Sequence, residues 1–158
     1  MAHVFRKVLV PALLALTSSA LPTAAAEAAA PADAGPAAGV MCLSSDYPRS
    51  RIVNVDGCNS GPRQRWIISG QAISQAAHPG MCLSSDYPRS RIVNVDGCNS
   101  GPRQRWIVNG EAISQAAHPG MCLASDYPRS RIVNVDGCNS GPRQRWTVQG
   151  EQISLTAV

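Results

Sequence analysis

Val53-Asn54-Val55-Asp56-Gly57-Cys58-Asn59-Ser60-Gly61-Pro62-Arg63-Gln64-Arg65-Trp66 returns unchanged from Val93 and again from Val133. The segment before it, Met41-Cys42-Leu43-Ser44-Ser45-Asp46-Tyr47-Pro48-Arg49-Ser50-Arg51, returns at Met81, and at Met121 with Ala124 in place of a serine. The interval is about 40 residues, which divides the chain from Val40 onward into repeats 40–79, 80–119 and 120–158. Such a period has to be read before any single motif, because each copy buries its apolar face only against its neighbours.

Within one unit the pattern is of short strands between turns. Val40 to Leu43 predicts a brief apolar strand that stops at the turn-rich Ser-Ser-Asp-Tyr-Pro. Ile52 to Val55 predicts a β-branched strand that ends at Asp56-Gly57, and Asn59 to Pro62 predicts a loop. Gln64 to Ile68 predicts a third strand around Trp66, turned at Ser69-Gly70 into Gln71 to Ser74. The matching Asn109-Gly110 is a strong hairpin signal, and His78-Pro79-Gly80 predicts a final turn. No stretch keeps a helical period, so the chain is expected to be all-β. One Trp, one Leu and a few Ile and Val cannot offset the ordering of a whole unit. Three units together can close into a barrel-like body with pseudo-threefold symmetry and no exposed sheet edges. An open solenoid is the alternative; it needs polar terminal caps, and the end copies show none.

Ahead of the repeats, residues 1–28 read as a secretory signal peptide. Arg6 and Lys7 precede the apolar run Val8 to Leu16, and Ala24-Ala25-Ala26 supplies small residues for cleavage. That run is too short for a membrane anchor and is broken by Pro11, so no span is expected after cleavage. Residues 29–39 are rich in Ala and Pro and read as a linker. The whole chain of 158 residues carries a net charge of +4. Without Arg6 and Lys7, twelve arginines face ten acidic residues, near +2. With no basic run beyond pairs, nucleic acid is not an expected partner.

The cysteines fall as Cys42 and Cys58, Cys82 and Cys98, Cys122 and Cys138, one pair per unit. In an exported chain they point to disulfides, with fifteen pairings open in principle. Repeat equivalence requires the same pairing in every unit, and within-unit bridges are our expectation. Each would close a loop of about 17 residues, worth roughly 3 kcal/mol. There is no Cys-x-x-Cys and no clustered His, which speaks against zinc and against redox catalysis.

Cys-Leu, then Val-Asn-Val-x-x-Cys, then Gln-x-Trp, in register in all three units, resembles the ricin B-type lectin repeat. The Gln-x-Trp triplets are Gln64-Arg65-Trp66, Gln104-Arg105-Trp106 and Gln144-Arg145-Trp146. The resemblance covers Val40 to Val158 and implies a β-trefoil that binds carbohydrate. Sugar-binding members carry an Asp just after Cys-Leu, an aromatic residue two before the second Cys and an Asn before the Gln. Those positions hold Ser44, Asp56 and Arg63 here, then Ser84, Asp96 and Arg103, then Ala124, Asp136 and Arg143. Asn54 stands where many members have a polar contact residue.

The candidate sugar-binding residues are therefore Asp46, Tyr47, Asn54, Asp56 and Gln64 in the first unit. Their counterparts are Asp86, Tyr87, Asn94, Asp96 and Gln104, then Asp126, Tyr127, Asn134, Asp136 and Gln144. Carboxylates and amides can exchange hydrogen bonds with sugar hydroxyls, and Tyr47 offers an aromatic face in place of the missing one. Each also has a plainer reading: Asp46 and Asp56 as turn residues, and Gln64 as a brace for loop backbone. No triad or paired carboxylates in distinct environments stand out, and no cofactor or metal is expected. Threefold repetition suits a multivalent binder better than an enzyme with one asymmetric site. The expected function is that of a secreted, non-catalytic lectin-like protein. The alternatives are a disulfide-stapled protein-interaction or inhibitor module and, less favoured, an arginine-mediated binder of anionic polymer.

Overall fold

The structure, a computed structural model, describes residues 40–156; the expected signal peptide and linker fall outside the described residues. The first repeat forms β1 (Met41–Ser45), β2 (Val53–Gly57), β3 (Trp66–Ser69) and β4 (Ala72–Gln75). The second forms β5 (His78–Ser85), β6 (Val93–Gly97), β7 (Trp106–Asn109) and β8 (Ala112–Gln115). The third forms β9 (His118–Ser125), β10 (Val133–Gly137), β11 (Trp146–Gln149) and β12 (Gln152–Leu155). A short 3-10 turn precedes the Trp in every copy, at Pro62–Gln64, Pro102–Gln104 and Pro142–Gln144.

Several boundaries differ from the sequence reading, for identifiable reasons. Ser44 and Ser45 belong to β1, buried and opposite Asn54 and Val53, so pairing overrides their turn preference. Asp56 and Gly57 continue β2 opposite Cys42 and Met41. Gln64 sits in the 3-10 turn, which Pro62 starts at a position where no N–H is needed. The hairpin turns lie one residue later than expected: Ser69, Asn109 and Gln149 close the strand pairs. Gly70, Gly110 and Gly150, with φ of 58, 56 and 57°, open the turns. A positive φ confined to the first central residue is the type II′ pattern, not the type I′ turn that Asn-Gly suggests. His78-Pro79-Gly80 starts β5; the turn before it is Ala76-Ala77. The register runs from Gln75 opposite His78 to Ser74 opposite Cys82, so Pro79 to Met81 form a bulge. A proline without an N–H is tolerated there.

The strands make three four-stranded antiparallel sheets, in the orders β3-β4-β5-β6, β7-β8-β9-β10 and β11-β12-β1-β2. Each sheet joins the hairpin of one repeat to the first strand pair of the next, and the last sheet brings repeat three back to repeat one. Two rings of backbone bonds close the threefold. Val95 N donates to Arg51 O at 2.9 Å, Val135 N to Arg91 O at 2.8 Å, and Val55 N to Arg131 O at 2.8 Å. Trp106 N donates to Gln71 O, Trp146 N to Glu111 O, and Trp66 N to Glu151 O, at 2.7–2.8 Å. Three such sheets, related by a pseudo-threefold axis and closed by these two rings, make the architecture a β-trefoil.

The core repeats with the chain. Trp66, Trp106 and Trp146 are buried with Leu43, Leu83 and Leu123, with Ile73, Ile113 and Ile153, and with the valines of β2, β6 and β10. Each indole Nε1 donates to a leucine carbonyl at 2.9 Å, from Trp66 to Leu43, Trp106 to Leu83 and Trp146 to Leu123. The polar end of each large ring is thus satisfied inside the protein. Cys42–Cys58, Cys82–Cys98 and Cys122–Cys138 are disulfides, the within-unit pairing expected.

One core position breaks the symmetry. Gln75 and Gln115 lie opposite Trp66 and Trp106, each 1% exposed, and their Oε1 atoms have no hydrogen-bond partner. The third repeat has Leu155 there, opposite Trp146 and within the apolar core. A buried acceptor left unpaired costs about 1–3 kcal/mol. Gln75→Leu and Gln115→Leu are therefore expected to raise the midpoint of guanidinium unfolding, each by a stability gain of about 1 kcal/mol or more. An unchanged or lowered midpoint would show that these amides are satisfied.

Candidate functional site

The loop after β1 is built by Asp46. Its backbone N–H donates to Ile52 O at 2.9 Å, and its carbonyl accepts from Arg49 N at 2.9 Å and Ser50 N at 3.3 Å. The side chain is held at both ends, with Oδ2 accepting from Ser50 Oγ at 3.2 Å and Oδ1 3.0 Å from Arg63 Nη1. The second repeat has the Arg103–Asp86 pair at 2.8 Å and the third has Arg143–Asp126 at 3.1 Å. Asp46 is thus a loop organiser whose carboxylate stays partly exposed.

Asp56 serves differently. Its Oδ1 accepts from Gly57 N at 2.9 Å and from Arg131 Nη1 of the third repeat at 2.8 Å. Asp96 takes Arg51 at 2.8 Å and Asp136 takes Arg91 at 2.7 Å, so these pairs run around the threefold as well. Spacings of 45 and 75 residues separate the partners.

Gln64 is buried, and both ends of its amide are used by the protein. Oε1 accepts from Asn59 N at 2.8 Å and Nε2 donates to Gly57 O at 2.9 Å, as Gln104 and Gln144 do in their repeats. Asn59 Oδ1 in turn accepts from Gly61 N at 2.8 Å. The Gln of Gln-x-Trp therefore braces the loop between β2 and the 3-10 turn. Gln104→Ala would leave Gly97 O and Asn99 N without that partner, and a loss of about 2–3 kcal/mol in unfolding free energy is expected. Stability equal to the wild type would show that water replaces the amide.

In the third repeat a shallow depression of about 270 Å³ gathers Asp126, Asn134, Asp136, Asn139, Arg143 and Gln144. Ala124 and Ser125 of β9 also line it. Asn134 lies opposite Ala124, where the first two repeats pair Asn54 with Ser44 and Asn94 with Ser84. Ala124 removes a hydroxyl from this wall. Of the five residue types expected at a sugar site, four meet here; the exception is Tyr127, which packs against the core. Its counterpart Tyr47 also packs on the core and meets His78 edge-on, with centroids 4.9 Å apart. Sequence reading missed Asn139 as a lining residue and Arg91 as a partner of Asp136. Asn139 looks like any loop asparagine, and Arg91 carries no local sign of a distant partner.

Among the described residues there is no cluster of His, Cys, Asp or Glu able to hold a metal ion. Among them, too, no helix is long and apolar enough to cross a membrane.

The sequence profile of the ricin-type β-trefoil lectin domain matches residues 72–157, more than half of the chain. The chain belongs to the ricin-type β-trefoil lectin family. No curated protein sequence matches it. Among solved structures it is similar to the β-trefoil lectin of the Vibrio vulnificus hemolysin/cytolysin, with N-acetyl-D-lactosamine bound (TM-score 0.60, 17% identity, 75% of this chain and 91% of that one). It is also similar to the C-half of the earthworm R-type lectin in complex with GalNAc (TM-score 0.58, 14% identity, 71% and 98%). A third is a non-toxic homologue of type II RIPs from Momordica charantia, bitter gourd, in complex with α-methyl-D-galactoside (TM-score 0.59, 23% identity, 68% and 43%). The chain thus spans less than half the length of the bitter gourd protein. These likenesses establish the fold.

Proposed function

We propose that this is a secreted, non-catalytic carbohydrate-binding protein with up to three equivalent shallow sites, at most one per repeat. The carrying observation is the convergence in the third repeat. Ala124, Asp136 and Arg143 occupy the positions where sugar-binding members carry Asp, an aromatic residue and Asn, and all three line one depression with Asp126, Asn134 and Asn139. This coincidence of positions supports placing the sugar site of this chain in that depression. Carboxylate, amide and guanidinium groups side by side can accept from and donate to adjacent ring hydroxyls. The first and second repeats carry the same groups as Asp46, Asn54, Asp56, Asn59 and Arg63, and as Asp86, Asn94, Asp96, Asn99 and Arg103.

That the three neighbouring structures above hold sugars supports this reading. Export is supported by the leader pattern and by six cysteines that are all paired. With no aromatic platform among the lining residues, each site is expected to bind weakly, and three sites on one chain gain affinity for a repeating glycan through avidity.

The test is glycan-array binding by the oxidised protein at low and high salt, beside the combined variant Asp46→Ala, Asp86→Ala and Asp126→Ala. Salt-resistant binding to a glycan, reduced tenfold or more in the variant, is the expected result. Silence from a folded, disulfide-bonded sample would overturn the proposal in favour of a protein-interaction module. Binding that collapses with salt would point to an anionic polymer instead.

A further inference from the structure

Every residue that lines the depression belongs to the third repeat, yet one of its carboxylates is held from outside that repeat. Asp136 lines it, and the side chain that holds Asp136 is Arg91, from the preceding repeat, at 2.7 Å. Arg51 holds Asp96 in the same way, and Arg131 holds Asp56, each at 2.8 Å. Both bonds on each of these carboxylates, from the following glycine N–H and from the arginine, fall on Oδ1. Oδ2 has no hydrogen-bond partner among the described residues, which leaves it able to accept from a ligand. The other carboxylate of the depression, Asp126, is matched by Arg143 from its own repeat. Two carboxylates therefore face two guanidinium groups, and Asn134 and Asn139 add polar groups without charge.

We infer that each site is charge-balanced from the neighbouring repeat: the preceding repeat's arginine, Arg131, Arg51 or Arg91, is a positioning residue that stands behind the site, neutralises the second aspartate and so selects uncharged over charged sugars. This rests on the proposed carbohydrate-binding function. A uronic or sialic acid would bring its carboxylate against two aspartates whose guanidinium partners are already engaged. An amino sugar would compete with those arginines. An uncharged sugar meets neither penalty, because its hydroxyls can donate to Oδ2 and accept from the remaining N–H groups of Arg143. Coulomb interactions at these partly exposed distances are large enough to shift relative affinity when one partner is removed.

Removing the guanidinium should not open the seam between repeats, because the backbone carbonyls of Arg51, Arg91 and Arg131 accept from Val95, Val135 and Val55 whatever the side chain. The experiment is an NMR titration of the intact oxidised protein with glucose, galactose and mannose, each as the neutral sugar, the 2-amino sugar and the uronic acid, at constant ionic strength. The wild type should prefer the neutral form. The combined variant Arg51→Gln, Arg91→Gln and Arg131→Gln should raise the affinity ratio of amino to neutral sugar about fivefold or more. The combined variant Asp56→Asn, Asp96→Asn and Asp136→Asn should raise the ratio of uronic to neutral sugar to a similar degree, and it reads the same balance if the arginine variant fails to fold. A merely structural arginine would weaken all three forms together. Unchanged ratios with neutral binding retained would overturn this inference and leave the proposed function standing. A wild type that binds none of these sugars would overturn both.

Discussion

Everything in this molecule depends on a seam that the chain makes with itself. No repeat can bury its tryptophan alone, since each four-stranded sheet takes two strands from one repeat and two from the next. For the first and last repeats the missing neighbour is at the far end of the chain. The sheet β11-β12-β1-β2 therefore decides whether the barrel closes. The bonds across this seam match those across the two covalent junctions: Trp66 N to Glu151 O and Val55 N to Arg131 O stand beside their two rotated copies. Near-identity of sequence makes this possible, because one solution to packing a junction serves all three.

The Gln-x-Trp motif divides the labour of the fold. The Trp enters the core and anchors its N–H on a leucine carbonyl of β1, β5 or β9. Two residues earlier, the Gln turns to the loop and satisfies one donor and one acceptor of its backbone. The disulfide joins the neighbouring strand β1 to the residue just after β2, so loop, bridge and core meet within a few residues. This explains why the segment from the second cysteine to the Trp is invariant between repeats. The hairpin residues vary at 67, 69 and 71, which are exposed or lie at the turn, while the turn glycine at 70 stays the same in every repeat.

The proposed site would keep the family's location while its chemistry changes. Replacing an aromatic residue by Asp136 removes a flat apolar platform and introduces a charge that has to be balanced. Arg91 does so across a repeat boundary, and Arg143, at another altered position, does so for Asp126. The substitutions are coherent: every position that departs from the family pattern lies in the same depression, and the new charges there occur as pairs.

Period, strand content, the equivalence of the cysteine pairs and the buried role of Trp66 were legible in the sequence, because repetition and β-branched alternation are local and written three times over. The braced role of Gln64 was legible as one of two readings. The tertiary structure alone decided where strands end. Ser44 and Ser45 have turn propensity but find partners in Asn54 and Val53, and Pro79 finds a bulge where no N–H is required. It also decided which side chains share the site. Tyr47, adjacent to Asp46 in the chain, turns to the core, while Arg91 reaches Asp136 across 45 residues. Sequence order fixes what each unit is made of. Which charges meet depends on closing the ring, and no stretch of one repeat records that geometry.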